Sequence, residues 1–259
     1  PEDRIYWSTD PLDLAEWPLK DSLGENIVIS HEDAYCEYND GKQFEGDSLN
    51  ITIKQHAFAW NTALLKDMVF VCYTIKNNDT LNPISQVYVG ADADDDVGYA
   101  DNDLLGLDRG RSLGYTYTTG QEPGWDAPPP YFVGVRFLQG PKASDTVYVG
   151  DPANPDTVIY PGEHLVLTAF KKCTRNIEPG TDRARYMFLA GYDFTTGEYN
   201  PFDSLDTEPG DKRKILAAGP FELAPGAEDT LLIAIMFSNG STGGLSYLLS
   251  QGDAAKTLY

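Results

Sequence analysis

The stretch Leu49-Asn50-Ile51-Thr52-Ile53-Lys54-Gln55-His56-Ala57-Phe58-Ala59 alternates with period two. Ile51, Ile53, Gln55, Ala57 and Ala59 share one side, and Thr52, Lys54, His56 and Phe58 the other, the pattern of a half-buried antiparallel strand. Similar runs, rich in β-branched and aromatic residues and separated by Gly, Pro, Asn and Asp, recur along the chain. They predict strands over residues 26–30, 67–77, 83–91, 113–118, 131–140, 146–149, 164–172, 186–190, 219–223 and 230–237. The segment 230–237 is apolar throughout, as a strand covered on both faces would be. Strand after strand without crossover helices points to an all-β fold, a large antiparallel β-sandwich-type unit.

Two helices are expected at the ends. Asp10 followed by Pro11 offers an N-cap and a proline at the first helical position, so a short helix belongs in an N-terminal extension spanning residues 1–25. In the tail, residues 241–259, Leu245, Leu248 and Leu249 and then Ala254, Ala255 and Leu258 fall at helical spacing, and the helix is expected to cross one end of the sandwich. With turn-rich loops at 120–130 and 150–155 and no internal repeat, the 259 residues read as one domain.

The chain carries 40 acidic side chains against 19 Lys and Arg, a net charge of −21. Such a surface repels phosphate backbones and anionic lipid, which argues against nucleic-acid and membrane-surface partners. No stretch reaches the roughly 20 apolar residues of a membrane-spanning helix. At 41% hydrophobic and 12% aromatic, the composition belongs to a folded protein and not to an acidic tail. The chain opens at Pro1 and is expected to be a mature or excised fragment. Its three cysteines, Cys36, Cys72 and Cys173, form no CxxC pair, so one disulfide or three buried thiols are both open. Asn50, Asn78 and Asn239 each head a glycosylation sequon.

The sharpest chemical signal is Gly90-Ala91-Asp92-Ala93-Asp94-Asp95-Asp96-Val97-Gly98-Tyr99-Ala100-Asp101-Asn102-Asp103. Asp92, Asp94 and Asp96 occupy positions 1, 3 and 5 of a Ca²⁺-type loop, Gly98 offers the position-7 carbonyl, and Asp103 falls at position 12, with Asp101 beside it. A hard cation takes 6–8 oxygens, and closely spaced carboxylates repel one another until one arrives. With no soft ligand nearby the expected ion is Ca²⁺, in a structural role. The loop departs from the helical Ca²⁺ motif: position 6 is Val97, position 12 is the shorter Asp, and a strand precedes it. Asp108 is placed either to join the shell or to pair with Arg109 or Arg111.

Other chemistries have less support. A glycosidase needs two carboxylates at a set separation, and 40 acids supply such pairs by chance. No HExxH segment occurs. No catalytic residue is therefore assigned. Exposed rings could stack on sugars, with Trp125 and Tyr131 the candidates for glycan contact, whereas Trp7, Trp17 and Trp60 read as core.

Several segments carry a family resemblance. Asp67-Met68-Val69-Phe70-Val71-Cys72-Tyr73-Thr74-Ile75-Lys76-Asn77 resembles a D-x-V-F-x-x-Y-x-I-x-N strand of large secreted bacterial proteins that typically carry a C-terminal sorting domain for type IX secretion. The Asp-rich loop, Asp103-Leu104-Leu105-Gly106-Leu107-Asp108, Leu113-Gly114-Tyr115 and Gly219-Pro220-Phe221-Glu222-Leu223-Ala224-Pro225-Gly226 are similar to successive elements of that group. The resemblance runs from about Trp17 to the end. It implies an exported or cell-surface β-sandwich protein and no particular reaction. The function expected is thus a structural or interaction protein stabilised by Ca²⁺, partnered by copies of itself, other surface proteins or glycans, and assembling into a surface layer or filament.

Overall fold

The computed structural model describes residues 4–41 and 48–258. Thirteen strands are defined among them: β1 (Tyr6–Trp7), β2 (Glu32–Asn39), β3 (Ile51–Ala59), β4 (Met68–Asn77), β5 (Ile84–Ala93), β6 (Leu104–Asp108), β7 (Leu113–Thr118), β8 (Tyr131–Gln139), β9 (Val147–Asp151), β10 (Asn154–Ile159), β11 (Ala169–Thr174), β12 (Lys212–Leu223) and β13 (Glu228–Ser238). Three helices join them: α1 (Pro11–Ala15), α2 (Asp182–Leu189) and α3 (Gly244–Leu258). The fold is all-β, as the alternation indicated.

Eight strands form one sheet in the order β1-β2-β3-β4-β13-β8-β7-β6, three form a second in the order β11-β12-β5, and β9 and β10 make a hairpin. All pairings within the sheets are antiparallel. The main core lies between the two larger sheets, where Val71, Val135, Leu231 and Ile233 meet Val89, Phe170, Leu216 and Phe221, and Val149 and Ile159 of the hairpin pack into it. A second core covers the outer face of the eight-stranded sheet, with Phe70, Leu232, Ala234 and Met236 under Leu248 and Ala255 of α3. A third packs Phe188 of α2 on Ile215 and Ala217 of the smaller sheet. The layers therefore run α3, large sheet, small sheet, α2.

The central strand β13 explains its own composition. Leu231 and Ile233 enter the inter-sheet core while Leu232, Ala234 and Met236 enter the core beneath α3, so the middle of the strand, residues 231–236, leaves no position for a polar side chain. β3 follows its alternation less strictly. Ile53 and Ala57 pack on the inter-sheet core, but on the opposite face Phe58 is buried and stacks on Phe70.

Four expectations are corrected. Residues 26–30 are no strand: Asn26 makes an isolated bridge to Lys20, and the amides of Ile29 and Ser30 donate to the Asp33 carboxylate at 2.9 and 3.0 Å, which ends the extended run. Residues 186–190 lie largely in α2, whose Thr181 cap accepts from Ala184 N at 3.2 Å and whose short apolar run suits either structure. The tail helix does not cross an end of the sandwich but lies on the large sheet, where Asp253 clamps it to Arg136 of β8 at 3.0 Å. Trp7 is 45% exposed, unlike Trp17, which is buried with its ring N–H donating to Ile27 O at 2.8 Å. α1 forms where it was placed, with Asp10 accepting from Leu12 N at 2.8 Å and Pro11 opening the helix. The three thiols are free. Among the described residues no helix is long and apolar enough to cross a membrane.

Candidate metal centre

The Asp-rich segment inherits its geometry from β5. That strand pairs with β12 so that Ala93 lies opposite Lys214, and its period-two alternation continues past its last residue. Ala91 and Ala93 pack on the inter-sheet core, Asp95 follows on the same side and meets the Lys214 ammonium, and Val97 is buried beyond it. Asp92, Asp94 and Asp96 fall on the other side. Because β12 runs antiparallel, the residue that precedes it, Asp211, returns beside the end of β5.

One carboxylate oxygen each from Asp94, Asp96 and Asp211 lies within 4.8 Å of the others. Oxygens bound to a shared Ca²⁺ at 2.3–2.6 Å are at most about 5 Å apart, so the three fit around one such ion. Asp94 and Asp96 are exposed and Asp211 is half-buried, which leaves room for water in the remaining positions. The cluster is partly neutralised already. Arg213 reaches Asp94 at 2.9 Å, Glu178 at 2.6 Å and Asp211 at 3.6 Å, and Arg175 stands 3.7 Å from Asp211. A cation here would share its ligands with two guanidinium groups.

The other expected ligands are placed elsewhere. Asp92, opposite Ile215, faces the α2 side with Cys173, Glu178 and Arg213 around a cavity of about 370 Å³. Although Asp92 is exposed at the surface, desolvation by the packed cavity wall, reinforced by Asp94, raises its pKa above the ordinary carboxylate value. Gly98 adopts φ +86°, its N–H donates to Asp96 O at 2.9 Å, and a Cβ would run into the Glu122 carboxylate. Asp101 sits in a short 3₁₀ turn, Ala100–Asn102, and borders an open groove of about 800 Å³ shared with Glu208 and Asp211. Asp103 is 0% exposed: Oδ1 accepts from Val97 N at 3.3 Å, while Oδ2 has no partner. Its burial, with Asp96 and Asp95 nearby, pushes its pKa up to about 7. Asp108 pairs with Arg111 at 2.8 Å instead of joining the loop.

Two participants were not apparent in the sequence. Asp211 is more than a hundred positions from Asp96, and only the β5–β12 register brings them together. Glu122 is buried under the loop and accepts from Tyr99 N at 2.9 Å and Asn102 Nδ2 at 2.8 Å. It shapes the turn through protein donors, and no local motif marked it.

Trp125 is 44% exposed and packs edge-on against Tyr131, with ring centroids 4.7 Å apart. Tyr131 is only 2% exposed, and its hydroxyl donates to Ala127 O at 2.5 Å, so Trp125 alone offers a ring face. The sequon Asn78 bonds Thr52 Oγ1 through Nδ2 at 2.9 Å, and Asn239 Oδ1 accepts from Ser241 N at 2.9 Å. His56 Nε2 lies 2.8 Å from the buried Asp33 carboxylate, and the neighbouring Ser30 hydroxyl also bonds Asp33. That is an acid-centred anchor for β2 and β3, not a nucleophile–base pair, which would need the hydroxyl on the imidazole. No family model matches this chain, and no curated protein matches it.

Proposed function

We propose that the protein is an extracellular or cell-surface structural or interaction module whose acidic loop is fixed by Ca²⁺ at Asp94, Asp96 and Asp211. The reading rests on one observation: carboxylates from both strands converge within 4.8 Å at one end of the β5–β12 pair. A cation there ties the loop after β5 to the segment before β12 and relieves the repulsion among three acids. The competition from Arg213 suits the 10⁻⁴–10⁻³ M affinities typical of extracellular modules, where Ca²⁺ is abundant. Association with copies of itself or with other surface proteins is part of the same reading.

Titration calorimetry of the chelator-treated protein is expected to show Ca²⁺ binding in that range. The double variant Asp96→Asn, Asp211→Asn should weaken it by about tenfold or more, because two charged ligands are lost. Absence of heat and of any rise in melting temperature at millimolar Ca²⁺ would overturn the reading.

A further inference from the structure

Lys214 is a lysine in the wrong solvent. It sits in β12 on the side that carries Leu216 and Ala218 into the inter-sheet core, and its side chain is 0% exposed. Its ammonium donates to Asp95 Oδ2 and, at 2.6 Å, to Thr116 Oγ1 on β7 of the opposite sheet; Thr116 Oγ1 also bonds Asp95 Oδ2 at 3.0 Å. A buried ammonium–carboxylate pair gains little over a neutral replacement, because desolvation of both charges offsets their attraction. Joining the two groups covalently removes both charges at once.

We propose that Lys214 and Asp95 condense into an intramolecular amide, Nζ to Cγ, that staples β12 to the end of β5. The step balances without any further reactant. One proton passes from the ammonium to the carboxylate, giving a neutral amine and a carboxylic acid. The amine lone pair forms the N–C bond at Cγ. A second proton leaves nitrogen for the carboxyl hydroxyl, the C–O bond breaks, and one water departs. The amide keeps one N–H, and its carbonyl oxygen keeps the Thr116 hydroxyl as a donor.

The surroundings suit each part of this reaction. Burial lowers the Lys214 pKa, which favours the neutral nucleophile. The contrast with Lys171 marks the site as particular. Lys171 Nζ also meets a carboxylate, Asp203 at 2.5 Å, but it shares a backbone carbonyl of Asn200 at 2.9 Å and borders an open cavity of about 400 Å³. The proposal is independent of Ca²⁺ binding, which uses the outward neighbours of Asp95.

Intact mass spectrometry of the denatured, folded-then-unfolded protein tests it directly. The expected mass is one water below that of the sequence, and a tryptic digest should contain residues 77–109 joined to residues 214–256. Lys214→Met should show the full mass of its own sequence. Asp95→Ala, which removes the acyl carbon, should likewise show the full mass of its own sequence. A wild-type mass equal to the sequence, or a water loss that maps to any other pair of peptides, would overturn the amide.

Discussion

Asp94 and Asp96 stand in water beside Asp211, whereas Asp95, between them, turns inward to a lysine with no exposed surface. The three residues share a composition and a loop, yet their surroundings are opposed. The outward row is met by water and by arginine partners. The inward row, Asp95 with Asp103 nearby, has lost most of its water, and its charges must be paired, protonated or removed by chemistry. An acidic run is therefore not one electrostatic object; the pleat divides it into two.

That division can be attacked from the inside first. Lys214→Met strands the Asp95 carboxylate in the core without its lysine partner, and a cost of about 3 kcal/mol or more is expected in urea denaturation. A loss under about 1 kcal/mol would mean that the inward row carries no structural weight. The next effect is one of pH. Asp103 is raised in the folded state from its ordinary 3.8 to about 7, with Asp95, Asp96 and Lys214 the charged groups around it. The folded protein thus holds this proton more tightly than the unfolded chain. Stability from this group is complete below about pH 4 and falls as pH rises towards 7, by on the order of 4 kcal/mol. Asp103→Asn should flatten that slope, measured as urea midpoints between pH 4 and 7.

A smaller effect is expected at the turn. Gly98→Ala places a side chain at φ +86° and against the Glu122 carboxylate, a loss of about 1–2 kcal/mol. The outward row should be the most forgiving. Asp94→Asn breaks an exposed pair with Arg213 and, without Ca²⁺, should change stability by less than about 0.5 kcal/mol. If Asp94→Asn proved as costly as Lys214→Met, the contrast between the two rows would fail.

The strands that fill both faces were plain in the sequence because their chemistry is uniform: β13 and β4 are apolar wherever a core touches them. β2, with Glu32, Asp33, Glu37 and Asn39, shows no such pattern; its ladder to β3 and the Asp33 anchor hold it. The same logic governs the site. Positions 92, 94 and 96 match the ligand spacing of a Ca²⁺ loop, but the same spacing also lines one face of an extended strand, and the alanines at 91 and 93 mark the other face. Read that way, the pattern would have turned Asp95 inward. What no local pattern holds is the partner strand: Asp211 and Lys214 arrive through register, across more than a hundred residues, and Thr116 from the opposite sheet.

One feature of the large sheet reaches beyond the native state. β13 lies between β4 and β8 and joins two four- and three-stranded blocks that do not otherwise meet within the sheet. Until that strand is synthesised, β4 and β8 each present an open, strongly apolar edge, and the main core has no centre. Most of the closing contacts span large sequence separations, which makes assembly slow and late. The nascent chain therefore emerges as two incomplete half-sheets whose exposed edges invite pairing with other chains. A carrier protein that shields those edges, or passage through a pore before the last strand joins, would meet the polypeptide while it is still threadable.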